Sequence, residues 1–92
     1  MPLLNDDEVT AGLERLEGWK RAGDAIRRTF RFRDFVGSIE FVNRLVEPAE
    51  AMNHHPDLEI SWNTVTVSLS THSRGGITES DLELAERIQA LA

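Results

Sequence analysis

The stretch DFVGSIEFVNRLVEPAEAMNHHP, residues 34–56, decides how this chain folds. Asp34 belongs to the residue types that cap helix N-termini. From there Phe35, Ile39, Val42, Leu45, Val46, Ala49 and Met52 recur every three or four residues, which predicts a long helix with one wide apolar face. Pro48 falls inside it, removes one backbone donor and predicts a kink. Pro56 disfavours the helical conformation at the residue before it, so the helix has to stop near Asn53. His54 and His55 are thereby left at the helix C-terminus, where the helix dipole suits positive charge. Glu50 lies four residues ahead of His54, which predicts that the two are neighbours on the helix surface.

Both flanks of this helix read as hairpins. Upstream, Asn5 and Glu8 form a capping box for a first helix whose stripe is Val9, Leu13 and Leu16, ended by Gly18. Trp19 begins an extended segment and Gly23-Asp24 is a turn signal. Ile26, Phe30 and Phe32 then alternate with Arg27, Thr29, Arg31 and Arg33, the pattern of a half-buried strand paired with Trp19 to Arg21. Its arginine face is read as a solvated surface. Downstream, Leu58, Ile60 and Trp62 alternate, Asn63-Thr64 looks like a tight turn, and Val65, Val67 and Leu69 alternate with Thr66, Ser68 and Ser70. His72 stands at the exit of that hairpin. Gly75-Gly76 is a flexible connection, Thr78 and Asp81 form a second capping box, and Leu82, Ala85, Ile88 and Leu91 give a last helix its apolar stripe. The order α-β-β-α-β-β-α predicts an α+β fold, a four-stranded antiparallel sheet with three helices packed on one face. Its open edges would suit pairing with another subunit.

The 92 residues make one domain, residues 1–92, with a modest core. A net charge of −6 repels phosphate backbones, so a nucleic-acid partner is not expected. No apolar run is long enough to span a bilayer, the acidic N-terminal residues are unlike a signal peptide, and a cytoplasmic location is the simplest expectation. With no cysteine there is neither a disulfide nor a thiolate nucleophile. Lys20 is the only lysine, which argues against Schiff-base chemistry.

The chain's three histidines are His54, His55 and His72. An imidazole with an unperturbed pKa of about 6.5 moves protons near neutrality. One histidine pair at a helix end and one histidine at a strand exit can form a general acid and general base across a pocket, with Glu50 orienting one ring. Zinc is the competing chemistry for three histidines and a glutamate. Adjacent histidines tend to point apart, however, so no metal is expected.

The stretch Ala49-Glu50-Ala51-Met52-Asn53-His54-His55-Pro56-Asp57, followed by Trp62-Asn63, Ser70-Thr71-His72 and Gly76-Ile77-Thr78 with Asp81, resembles the pterin-4a-carbinolamine dehydratases. The resemblance runs from Gly18-Trp19 through Phe30-Arg31-Phe32 and Asp34-Phe35 to the last helix. It implies a lyase that dehydrates 4a-hydroxytetrahydropterin to quinonoid dihydropterin in tetrahydrobiopterin recycling, without a redox cofactor or metal, as a homodimer or tetramer. By position it implies His54, His55 and His72 as the acid–base residues, with His55 and His72 foremost. Glu50 would bind or polarise, and Pro56, Trp62, Ser70, Thr71 and Asp81 would line the pterin pocket. Two other roles stay open: a regulatory dimerisation or coactivator protein, and a pterin-binding protein of another pathway such as molybdopterin metabolism.

Overall fold

The computed structural model describes residues 2–92. The elements are α1 (Asp6–Leu13), β1 (Lys20–Ala22), β2 (Ala25–Arg31), α2 (Phe35–Met52), β3 (Asp57–Ser61), β4 (Thr64–Leu69), a short 3-10 turn at His72–Arg74, and α3 (Glu79–Leu91). The sheet is antiparallel throughout with strand order β1-β2-β4-β3, so the two hairpins join through β2 and β4. This is the expected α-β-β-α-β-β-α arrangement in two layers.

Local chemistry sets the helix ends. Asn5 accepts from the Glu8 backbone N–H while Glu8 Oε1 accepts from the Asn5 N–H, closing the first capping box. The Asp34 carboxylate accepts from the Gly37 N–H at 2.8 Å and caps α2. At the far end Asn53 adopts the left-handed conformation, φ 49, and its backbone N–H closes on the last turn. α2 runs continuously through Pro48.

Ile26 and Phe30 of β2 with Val65, Val67 and Leu69 of β4 form the buried sheet face, covered by Phe41 and Leu45 of α2 and by Leu82, Leu84, Ala85 and Ile88 of α3. Phe41 stands between Phe30 and Phe32, with ring centroids 4.8 and 4.9 Å away. Gly12 of α1 lies so close to α3 that a Cβ there would meet Leu82 Cδ1 at 2.5 Å, which fixes how the first helix docks.

Two expectations fail at the edges of this core. Phe35 and Val46, read as parts of the buried stripe, are exposed, while Ser38 and Phe41 are fully buried instead. The tight turn is Trp62-Asn63 rather than Asn63-Thr64, because Ser61 pairs with Thr64. Trp62 therefore takes φ 49, a region that bulky residues rarely enter. Ser38 Oγ donates to the Trp62 carbonyl at 2.8 Å, and the Phe32 N–H donates to the Asn63 carbonyl at 2.7 Å. Those two bonds clamp the turn to the start of α2 and hold it in register.

Candidate active site

Pro56 ends the helix and Asn53 reverses the chain, and the two histidines between them leave in different directions. His54 turns inward and is only 14% exposed, whereas His55 is 58% exposed. The expected Glu50–His54 contact is absent, because the left-handed residue at 53 rotates the chain out of helical spacing. Glu50 Oε2 meets His55 Nε2 at 2.5 Å instead, across a five-residue separation.

His54 Nε2 lies 2.5 Å from Oδ1 of Asp81, a side chain with no solvent exposure. The other carboxylate oxygen, Oδ2, accepts from the Thr78 N–H and from Thr71 Oγ1, each at 2.9 Å. Thr71 has a single hydroxyl proton and gives it to Asp81, so in the 2.8 Å contact between Thr71 and Thr78 the Thr78 hydroxyl donates. Asp81 thus caps α3 and joins the end of α2 to the exit of β4. Because a carboxylate only accepts, His54 carries its proton on Nε2 toward Asp81 and presents Nδ1 as the remaining ring nitrogen. Asp81 is fully buried and is not among the residues that line the hollow beside His55.

His72 begins the turn after Thr71 and is 74% exposed, with Nε2 3.5 Å from Asp57 Oδ2. Each of the three histidines is therefore matched with its own carboxylate from another segment. The pairs form one cluster: His54 and Asp81 tie residue 54 to Thr71, His72 follows Thr71, and Asp57 lies two residues beyond His55. The outer pairs, Glu50–His55 and Asp57–His72, are solvated and contribute about 0–1 kcal/mol each, so their effect is to orient rings rather than to hold the fold.

A hollow of about 200 Å³ opens beside His55, between α2 and β3, lined by Val42, Leu45, Val46, Ala49, Glu50, Pro56 and Leu58 as well. Its wall is mostly apolar, with Glu50 and His55 as the polar groups on its rim. His72 is not among its lining residues and meets the start of β3 through Asp57. The remaining expected contacts divide. Pro56 lines the hollow. Ser70 Oγ donates to the Asp24 carbonyl at 2.8 Å and faces the β1–β2 turn. Thr71 spends its hydroxyl on Asp81 and its N–H on Gly76 O. Trp62 sits beyond the far end of β3, about 17 Å from Asp57 at the strand rise, and within one chain does not reach the histidines. Asp57, directly after His-His-Pro, is a histidine partner that the motif's spacing marks only by adjacency.

Fold and residue set together define the class: a two-layer α+β protein whose histidine–carboxylate cluster is suited to moving protons on a small molecule. The chain belongs to the pterin 4 alpha carbinolamine dehydratase family, whose model matches residues 2–91. A protein of Thermosynechococcus vestitus that carries the pterin-4-alpha-carbinolamine dehydratase name provisionally is 57% identical over 89 residues, covering 97% of this chain and 94% of the relative. A Mycobacteroides abscessus protein with the same provisional name is 53% identical over 88 residues, covering 96% and 94%. Among solved structures, a Brucella melitensis protein described as a transcriptional coactivator/pterin dehydratase superposes with a TM-score of 0.95 at 35% identity, over 99% of both chains. No helix among the described residues is long and apolar enough to cross a membrane.

Proposed function

We propose that this protein is a hydro-lyase that converts a 4a-hydroxytetrahydropterin to the quinonoid dihydropterin and water, by histidine general acid–base catalysis, within tetrahydrobiopterin recycling in the cytoplasm. The observation that carries this reading is the cluster itself, three carboxylate-paired histidines gathered where α2, β3 and β4 meet. In the reaction a proton joins the departing 4a-hydroxyl, the C4a–O bond breaks, and the N5 proton leaves as the C4a=N5 double bond forms. No electrons are exchanged with a partner. One imidazole gives a proton and another takes one, so the site returns to its starting charge. His55 and His72 are the accessible pair, and the substrate would lie across the start of β3. His54, held by Asp81, fixes the geometry beneath them. The test is an assay on carbinolamine generated enzymatically in place, followed by the appearance of quinonoid dihydropterin with and without the protein. Catalytic amounts of protein should accelerate it well beyond the buffer rate; an unchanged rate would remove the reading.

The same reading includes a homodimer or tetramer. All five residues of the edge strand β3 are exposed, and Leu58, Ile60 and Trp62 lie along it with Phe35, Val36 and Val46 of α2 also exposed. An open edge flanked by apolar side chains favours pairing with a second copy. Light scattering should give a mass at least twice that of the chain, and Ile60→Lys should lower it toward the monomer. A wild-type monomer at micromolar concentration would overturn this part. The coactivator description of the Brucella relative favours a second reading, as a regulatory partner. A specific partner whose binding survives loss of His55 and His72 would support that one.

A further inference from the structure

Trp62 occupies a strained place for a bulky side chain. It stands at φ 49 in the β3–β4 turn, where asparagine or glycine would fit with less strain, and it is 68% exposed. The indole is not what holds the turn. Ser38 Oγ donates to the Trp62 carbonyl, a bond that any residue at this position would accept. An exposed aromatic ring is thus kept at the hairpin tip at a cost in backbone strain.

The hollow beside His55 lacks a wall on one side. It lies between α2 and β3, its lining residues Val46 and Leu58 are themselves exposed, and among the described residues no strand lies beyond β3. A second copy paired along β3 would supply that wall, and the strand's own sequence selects how it pairs. Antiparallel strands related by a two-fold axis through the sheet set side chains of the same face opposite each other, so only registers that keep the alternation are open. Of the central registers, one puts Glu59 opposite the partner's Glu59 and another puts Asp57 opposite the partner's Glu59. Like charges so placed repel. The remaining one puts Ile60 opposite the partner's Ile60, Glu59 opposite the partner's Ser61, and Leu58 beside the partner's Trp62.

We infer that Trp62 completes the histidine site of the other protomer: in a dimer built on β3, the partner's Trp62 covers the hollow at Leu58 and packs its indole against the flat ring of the substrate. This role rests on the dehydratase and dimer readings above and adds a residue to their site. Leu58 lines the hollow together with His55 and Glu50, so an indole at Leu58 stands over the same space as those two groups. The face of an indole suits a planar heterocycle through stacking and buried area. One chain then brings the histidines and carboxylates, and the other brings the stacking surface.

The test is calorimetric titration of the full chain with biopterin, an oxidised ring that cannot be dehydrated, so that binding is read apart from turnover. Trp62→Asn should weaken binding at least about tenfold, with the dimer mass kept and the melting temperature unchanged or raised, because asparagine suits the turn. Trp62→Phe retains a ring face and should stay within about threefold of the wild type. Ile60→Lys, the variant expected to be monomeric, should bind about as weakly as Trp62→Asn, and adding Trp62→Asn to it should weaken binding no further. Turnover gives a second arm. In a heterodimer of His55→Ala and Trp62→Asn chains, the intact His55 lies beside the partner's intact Trp62, so activity should return to about half that of the wild-type dimer. A heterodimer no faster than the mean of the two homodimers, wild-type affinity in Trp62→Asn, or a further loss when Trp62→Asn is added to Ile60→Lys would each overturn the inference. Wild-type protein that binds biopterin without accelerating dehydration would remove the dehydratase reading alone, since the titrations decide the role of Trp62 without turnover.

Discussion

Replacing His55 or His72 with alanine is expected to slow dehydration of a freshly generated carbinolamine by at least about tenfold in each case, and by about 10²–10⁴ when both are replaced. The expectation rests on accessibility and pairing together. His55 and His72 are 58% and 74% exposed, so substrate can reach them, and each has a carboxylate at its Nε2 that restricts how the ring turns. With Nε2–H donated to Glu50, a neutral His55 presents Nδ1 as an acceptor for a proton. Both side chains sit outside the core, so neither alanine should shift the melting temperature by more than the value of a surface pair, about 0–1 kcal/mol. Loss of rate without loss of stability is the signature sought. If both variants fold and turn over at the wild-type rate, the acid–base assignment is wrong. A double variant no slower than the worse single one would mean that the two imidazoles act as a unit.

The relation between sequence and site explains why some of this was legible and some was not. Pro56 and Asn53 act on their own neighbours, so the end of α2 and the location of the histidine pair followed from local rules. The same holds for Asp34, for the Asn5–Glu8 box, and for the alternation of Val65, Val67 and Leu69. Which carboxylate each histidine meets was not local. The left-handed Asn53 turns His54 away from Glu50, and a rotation of that kind cannot be read from spacing. Trp62 shows the same limit. Turn chemistry favours asparagine in the left-handed region, but the hydrogen bonds from Ser38 and Phe32 shift the turn by one residue and place tryptophan there. Tertiary clamping overrode local preference. Phe35 and Val46 are likewise exposed although they keep the three-and-four spacing of the α2 stripe, so periodicity alone does not mark the limits of the buried face.

Asp81→Asn should cost both stability and turnover, and the way it does so separates a positioning residue from a substrate contact. Asparagine keeps the size of aspartate, and its oxygen can still accept from Thr78 and Thr71. Its amide nitrogen then faces His54 Nε2, donor against donor, in a place without solvent. The clash is relieved only if His54 moves its proton to Nδ1, which reverses the roles of its two ring nitrogens, or if the amide flips and leaves Thr71 and Thr78 short of an acceptor. Either way a buried hydrogen bond is lost or remade poorly, and about 1–3 kcal/mol of stability should go with it. Turnover should fall by about 10–10² through kcat, with KM little changed, because Asp81 has no exposed surface with which to touch a pterin. Asp81→Ala should destabilise more, since it leaves His54, Thr71 and the Thr78 N–H all without their acceptor. Glutamate is too long for the space between α2 and α3 and should not restore the rate. A rise in KM with kcat intact in Asp81→Asn would return this carboxylate to the pocket wall and break the link drawn between its burial and the geometry of the histidines above it.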